Sequence, residues 1–102
     1  MGRPRRKAHA EVRLVWTAPA LRDLRSAQVW IAADRPKTQV VRILESATGL
    51  VAFPDQGRVG RRPGTREMVV PRTPFVIAYR VSEDRIEVLR VMHGAQRWPD
   101  GL

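Results

Sequence analysis

The segment PFVIAYRV, residues 74–81, constrains the fold more than any other feature, because it is apolar almost without interruption. A run of this length and composition is typical of a strand that is covered on both faces. REMVV before it and RIEVLRVMH after it alternate with a period of two, which is the pattern of strands with one buried face. The second half of the chain therefore predicts three successive antiparallel strands.

The first half of the chain has a helical period instead. After a short alternating strand, VRLVW at residues 12–16, Thr17 is suited to cap a helix. Apolar residues then repeat at helical spacing, which predicts helices over about residues 18–33 and 36–51. Pro36 marks the break between them, because proline disfavours helical geometry in the residue that precedes it. Two helices joined by so short a break predict an antiparallel hairpin.

The order of these elements predicts an α+β fold, with a strand, a helical hairpin and a three-stranded antiparallel meander. Both helices are expected on one face of a largely antiparallel sheet. A chain of 102 residues is long enough for one compact core. Residues 1–10 carry four basic side chains with glycine and proline between them, so we expect a basic flexible tail. Residues 11–102 are expected to form the single domain.

The composition limits the chemistry that the chain can perform. It has no cysteine, which excludes disulfides and thiolate ligands, and its two histidines lie far apart in sequence, which argues against a zinc site. We therefore expect no metal and no cofactor. No segment approaches the ~20 apolar residues of a membrane span, and the N-terminus lacks the apolar stretch of a secretory signal. The prediction is a cytoplasmic protein that does not contact a membrane.

Positive charge dominates the sequence: 19 basic residues, 17 of them arginine, oppose 10 acidic ones, for a net charge of +9. Such a charge attracts nucleic acid or an acidic protein. An arginine-rich proteome, in which exposed positions default to arginine, is the alternative explanation. The arginines are concentrated in GRVGRRPGTRE, residues 57–67, which predicts an ordered basic loop that runs into a strand.

The end of the last strand is rich in polar and aromatic groups, because Gln96, Arg97 and Trp98 closely follow His93. If the helical hairpin covers one face of the sheet, the other face forms a partly open groove that collects basic side chains. The alternative is structural: His93 and Gln96 make ordinary hydrogen bonds, and Trp98 packs on the edge of the core. The candidate binding residues are the basic side chains around this groove and the residues after the last strand: Arg58, Arg61, Arg62, Arg66, Arg72, Arg90, His93, Gln96, Arg97 and Trp98.

Several stretches together resemble the RelE/ParE superfamily, the toxins of bacterial type II toxin–antitoxin modules. They are TAPALRDLRSAQVWIAADRP, PDQGRVGRRPGTREMVV, PFVIAYRV and IEVLRVMHGAQRWP, and the resemblance covers about residues 12–99. It implies a helical hairpin packed against a twisted antiparallel sheet. It also implies a toxin that inhibits growth through an essential target and is neutralised by a cognate acidic antitoxin in a hetero-oligomer.

The superfamily has two branches with different targets. RelE-like toxins are ribosome-dependent endoribonucleases that cleave mRNA, and their chemistry needs cations and a proton-transfer group at the scissile phosphate. In this chain the resemblance implies four residues for those roles: Arg66, Arg72, His93 and Arg97. ParE-like toxins instead bind DNA gyrase and trap it on cleaved DNA, which requires no catalytic residue.

The sequence favours the ParE-like branch. RelE-like toxins normally carry a further basic residue just after the last strand and a tyrosine in a C-terminal extension, whereas Ala95 and Gln96 follow Gly94 here. The only tyrosine, Tyr79, lies in the central strand, where a core role is expected. We therefore predict a non-enzymatic gyrase inhibitor, with an mRNA endoribonuclease as the alternative. A plain nucleic-acid-binding domain fits the charge but not the resemblance.

Overall fold

The structure, a computed structural model, describes residues 12–30, 36–94 and 99. Seven elements follow one another along the chain: β1 (Arg13–Trp16), α1 (Ala18–Trp30), α2 (Pro36–Ala52), β2 (Arg58–Val59), β3 (Arg66–Val69), β4 (Phe75–Val81) and β5 (Arg85–His93). The tail predicted for residues 1–10 lies outside the described residues. No helix in the described parts of the chain is long and apolar enough to cross a membrane.

The strands form one mixed sheet in the order β1-β5-β4-β3-β2. The α+β prediction and the meander of β3, β4 and β5 are confirmed. The sheet has five strands, because the predicted basic loop contains the two-residue strand β2, which pairs antiparallel with β3. Strand β1 pairs parallel with β5, and the two helices provide the long connection that parallel neighbours need.

Thr17 begins the first helix as predicted. Its hydroxyl oxygen accepts a hydrogen bond from the Ala20 amide at 3.3 Å, which satisfies one of the amides at the helix start. The same hydroxyl lies 3.0 Å from the carbonyl oxygens of Val88 and Leu89, so the cap also attaches the helix to β5. The described part of α1 ends at Trp30, and residues 31–33 of the predicted helix lie outside the described residues. The second helix occupies its predicted range.

The core lies between the helical hairpin and one face of the sheet. Its buried side chains include Ile43, Ala47 and Leu50 from α2, which recur at helical spacing, and Ile77 and Tyr79 from β4. The opposite face of the sheet also buries a smaller cluster, Val76, Ala78 and Met92. The prediction that the central strand is covered on both faces is therefore confirmed.

A β-bulge corrects the alternation predicted for the last strand. Val88 pairs with Tyr79 while Arg90 pairs with Ala78, so β5 advances two residues where β4 advances one. The extra residue, Leu89, interrupts the period of two. Val88 and Val91 consequently belong to the same core cluster, although strict alternation would put them on opposite faces.

Candidate binding surface

The basic hairpin, residues 57–67, is an ordered strand–loop–strand unit. The Gly60 amide donates to the Thr65 carbonyl at 2.8 Å and closes the loop between β2 and β3. Inside the loop, the Thr65 hydroxyl donates to the Arg62 carbonyl at 2.6 Å. Gly64 has φ = 75°, in the left-handed region that glycine enters without steric cost. The prediction of an ordered basic loop is confirmed, with a hairpin as its form.

A nearly buried carboxylate organises the arginines of this hairpin. The Glu67 side chain is 2% exposed, and one of its oxygens lies 3.1 Å from a guanidinium nitrogen of Arg58. The other oxygen accepts a hydrogen bond from the Arg61 amide at 2.7 Å and lies 3.6 Å from the Arg61 side chain. Local sequence patterns assigned no role to Glu67. The available signal was an acidic residue that directly follows Arg66 at the end of the arginine-rich stretch.

The base of the hairpin is attached to the central strand through Tyr79. The Tyr79 hydroxyl accepts a hydrogen bond from the Gly57 amide at 2.9 Å and donates one to the Pro54 carbonyl at 2.7 Å. Burial raises the pKa of Tyr79, because it disfavours the charged phenolate. Arg66 donates to the Gly57 carbonyl at 2.7 Å and lies 3.6 Å from the Asp55 carboxylate. The core role predicted for Tyr79 is confirmed.

The arginines of the hairpin differ in how much of the side chain is presented to solvent. Arg58 is 61% exposed and Arg61 is 48% exposed, although both contact Glu67. Arg62 donates two hydrogen bonds to the carbonyl oxygen of Pro99. Arg58 and Arg61 are therefore the cations that this unit presents most openly to a partner.

Arg90 belongs to a different part of the molecule. It forms a bidentate ion pair with Asp23 of α1, at 2.6 and 2.9 Å. The hydrogen bond that Arg90 donates to Asp23 raises the pKa of Arg90, and the same carboxylate accepts a hydrogen bond from the Val91 amide at 2.9 Å. Strand β1 pairs with β5 only as far as Val88. Beyond that point, the Asp23 carboxylate takes the place of β1 as a hydrogen-bond acceptor for the edge of β5.

Arg72 and His93 both lie at the end of the sheet opposite to the basic hairpin. Arg72 occupies the β3–β4 turn with φ = 61°, which is uncommon for a residue with a side chain, and its carbonyl accepts a hydrogen bond from Arg42 at 3.3 Å. His93 contacts Phe75 edge to face, with ring centroids 5.8 Å apart. The Gly94 amide donates to the Pro74 carbonyl at 2.7 Å and holds the end of β5 against this turn.

The predicted groove does not bring all of its basic residues to one face. Residues that pair directly across strands share a face, so Arg66 shares the helix-facing side of the sheet with Tyr79. Arg90 starts from the side of Ala78, and its guanidinium bonds Asp23 of α1 at the β5 edge. The binding roles predicted for these arginines stay predictions, as do those for Gln96, Arg97 and Trp98, which lie outside the described residues. Among the described residues, no cluster of three or more histidine or acidic side chains could hold a metal ion.

A helical hairpin on a five-stranded mixed sheet, with an arginine-rich hairpin at the sheet edge, defines a small toxin of the RelE/ParE superfamily. The family model for the ParE toxin of the type II toxin–antitoxin system parDE matches residues 14–98. The chain belongs to this family and is thus a toxin of a type II toxin–antitoxin system.

Relatives and solved structures agree with this assignment. The chain is 41% identical to the putative toxin Y4kP of Sinorhizobium fredii, over 88% of this chain and 96% of the relative. It is 30% identical to toxin RelE2 of Caulobacter vibrioides, over 81% and 96% of the two chains. A chain of the chromosomal ParDE system from P. aeruginosa superposes with a TM-score of 0.75 at 27% identity, covering 83% of this chain and 97% of that one. A chain of the toxin–antitoxin complex RelBE2 from Mycobacterium tuberculosis gives a TM-score of 0.61 at 26% identity, over 81% and 98%.

Proposed function

We propose that this toxin inhibits growth by binding DNA gyrase and that it acts without catalysing a reaction. The names of its relatives come from both branches of the superfamily, so the choice between the branches rests on the arrangement of the candidate residues.

The observation that carries the proposal is the separation of the groups that an endoribonuclease would need. Cleavage at one phosphate requires a cation and a proton-transfer group that both lie within hydrogen-bond reach of it. Arg66 pairs with Tyr79 and His93 with Phe75, so they are offset by four residues of β4, about 13 Å at the usual rise of a strand. Arg66 lies on β3 and His93 on β5, so the two residues are on opposite sides of β4. The Arg66 side chain also contacts the Gly57 carbonyl and Asp55. This dispersal suits a binding protein better than a nuclease.

The basic hairpin supplies what a binding protein needs. The side chains of Arg58 and Arg66 are held by internal hydrogen bonds, and the Arg61 backbone is bonded to Glu67, before any partner arrives, so little conformational freedom is lost on binding. Arg58 and Arg61 remain widely exposed despite these contacts. A rigid cationic surface of this kind favours an acidic protein surface and increases the rate of encounter.

We further propose a cognate acidic antitoxin as the partner that neutralises the toxin in a hetero-oligomer. The structure from P. aeruginosa is of a ParDE system, and the one from M. tuberculosis is of a toxin–antitoxin complex. A net charge of +9 on 102 residues supports a partner of opposite charge.

An mRNA endoribonuclease is the second candidate. It is favoured by one observation, the position of Arg72 and His93 at the same end of the sheet, where a cation and an imidazole could act together.

The two functions are separated by running a gyrase supercoiling assay beside a translation-coupled mRNA cleavage assay, with the parent toxin and His93→Ala. We expect both proteins to inhibit supercoiling and to cause gyrase-dependent DNA breaks, with mRNA left whole. Because His93 packs on Phe75, thermal unfolding of the variant is measured alongside to separate loss of fold from loss of function. Ribosome-dependent cuts in mRNA that fall by ~10² or more with a folded His93→Ala protein would instead establish the nuclease.

A further inference from the structure

A small apolar cluster is buried on the outer face of the sheet, which is the face that the helices do not cover. It consists of Val76, Ala78 and Met92, which are 6%, 0% and 0% exposed. Side chains of β4 alternate between the two faces, and both helices pack over Ile77 and Tyr79 on the opposite face. No helix or strand among the described residues forms a layer over the outer face. The burial of the cluster therefore indicates a cover outside these elements.

The burial is uneven across the outer face. Val69, Val76 and Met92 lie side by side on β3, β4 and β5, because Val76 pairs with both of the others. Val69 is 55% exposed, whereas Val76 and Met92 are nearly inaccessible. The cover therefore lies over β4 and β5 and leaves this part of β3 open. The chain leaves β5 at Gly94, close to the covered pair.

The chain after β5 is attached at two points that lie toward opposite ends of the sheet. The Gly94 amide donates to the Pro74 carbonyl at 2.7 Å, beside the β3–β4 turn. The Pro99 carbonyl accepts two hydrogen bonds from the Arg62 guanidinium of the basic hairpin, one of them at 3.2 Å. The hairpin joins β4 opposite Tyr79, five residues after Pro74, which is about 17 Å at the usual rise of a strand.

Chain length decides the route between these two points. Five residue steps lead from Gly94 to Pro99, and five extended residues span at most about 16–18 Å. This length leaves no allowance for a detour around the sheet, and the helices already occupy one of its faces. The route that remains runs along the outer face, over β4 and β5.

We propose that the outer face is the docking site of the chain's own residues 95–98, which lie outside the described residues, and that Arg62 is the positioning residue that holds them there through Pro99. The sequence of this segment, AQRW, suits an apolar site that is open to water on one side, because it combines alanine and tryptophan with two polar residues. An indole provides a large apolar area for covering the cluster.

The proposal gives Arg62 a role that differs from those of Arg58 and Arg61. Those two arginines contact Glu67 and stay widely exposed, whereas Arg62 bonds a carbonyl 37 residues away along the chain. Two charged donors on one oxygen fix its position better than a single neutral donor does. The inference holds whichever target the toxin binds, because it concerns a contact within one chain.

The first test uses the absence of cysteine from the chain, which allows one introduced thiol to report the accessibility of one position. Val76→Cys places the thiol in the outer-face cluster. Val70→Cys is the matched control, because Val70 is equally well buried but belongs to the core under the helices. Cysteine is smaller than valine, so neither site is overpacked. The measurement is the rate of alkylation by N-ethylmaleimide in the full-length toxin.

We expect Arg62→Ala to raise the alkylation rate of Val76→Cys about tenfold and to leave that of Val70→Cys within about twofold. Arg62→Lys keeps a charged donor and should retain most of the protection. Arg58→Ala removes an exposed cation of the same hairpin and should change neither rate. Unchanged protection of Val76→Cys in a folded Arg62→Ala protein overturns the role of Arg62. Equal acceleration at both positions also overturns it, because the fold as a whole is then loosened.

The second test identifies the occupant of the outer face. Val76→Cys is combined in turn with a cysteine at Ala95, Gln96 or Arg97, and with Ala10→Cys as the control for the N-terminal residues. Under mild oxidation a disulfide forms only where the two Cα atoms come within about 7 Å. We expect at least one C-terminal pair, and not the Ala10 pair, to form a disulfide within one chain. A disulfide with Ala10→Cys alone, disulfides only between two chains, or none at all would each overturn the proposal.

Discussion

The hydroxyl of Tyr79 and the amide of Gly57 are joined by a 2.9 Å hydrogen bond that connects the central strand to the base of the basic hairpin. A side chain at position 57 would remove this arrangement, because its Cβ would lie 2.6 Å from the Tyr79 hydroxyl and 2.8 Å from the Glu67 carbonyl. The hairpin that carries the exposed arginines is therefore positioned by a fully buried residue of the core.

Replacing Tyr79 tests how much its two hydrogen bonds contribute to the free energy of unfolding. Tyr79→Phe keeps the buried ring but leaves the Gly57 amide and the Pro54 carbonyl without their partner. We expect the free energy of unfolding, measured by urea titration, to fall by about 1–3 kcal/mol. Gly49→Ala, at an open position of α2, is the control and should not lower it. Equal stability of Tyr79→Phe and the parent would show that the two hydrogen bonds contribute nothing to stability.

The same residue predicts a loss of stability at alkaline pH. Burial raises the pKa of Tyr79 in the folded protein above the value of about 10 that tyrosine has in an unfolded chain. The unfolded state therefore releases its proton first, so this contribution to stability is complete below about pH 10 and is lost as the pH rises through the folded pKa. Unfolding free energies measured across this range should decline less steeply in Tyr79→Phe. Parallel curves for the two proteins would contradict the prediction.

Glu67 is expected to control the order of the hairpin. Glu67→Gln removes the charge that Arg58 and Arg61 contact but retains an oxygen that can accept from the Arg61 amide. Both arginines are substantially exposed, so we expect a loss of only about 1 kcal/mol in the free energy of unfolding. Gyrase inhibition should weaken in the variant, because Arg58 and Arg61 are less well held. Full inhibition by a folded Glu67→Gln protein would show that the contacts of Glu67 with Arg58 and Arg61 are not needed for target binding.

The exposed pair Arg58 and Arg61 provides the most direct test of target binding. Reversing the charge of Arg66 would instead put a carboxylate against the Gly57 carbonyl and Asp55, and would chiefly test folding. Glutamine at positions 58 and 61 removes two charges and keeps a donor for Glu67. We expect this double variant to need about tenfold more protein for half-inhibition of supercoiling and to show less salt dependence. The lysine double variant, which keeps the charge, is the matched control, and equal inhibition by both would exclude a role of charge at these positions.

Local pattern was sufficient for most of the elements. The helical period in the first half and the period of two in the second correctly predicted α1, α2, β3, β4 and β5, and Thr17 correctly predicted the start of α1. These features depend on residues within a few positions of one another, so the sequence carries them directly. The family resemblance also rests on such local stretches, and the family match to residues 14–98 confirmed it.

These local patterns could not predict which distant segments of the chain pair with each other. The parallel contact of β1 with β5, the short strand β2 and the bulge at Leu89 each depend on which strand becomes a neighbour. The bulge changes which face each later residue of β5 occupies, so an alternation read along the sequence fails after Val88.

The helical hairpin, the meander and the concentration of arginine in residues 57–67 all follow from patterns within the amino-acid sequence. The role of each arginine depends instead on contacts that form when the chain folds. Arg90 is bonded to Asp23 at a separation of 67 residues, whereas Arg58 and Arg61 contact Glu67 and stay exposed. These roles differ because a guanidinium carries the same charge everywhere, while its hydrogen-bond partners and its exposure are set by residues that folding brings together.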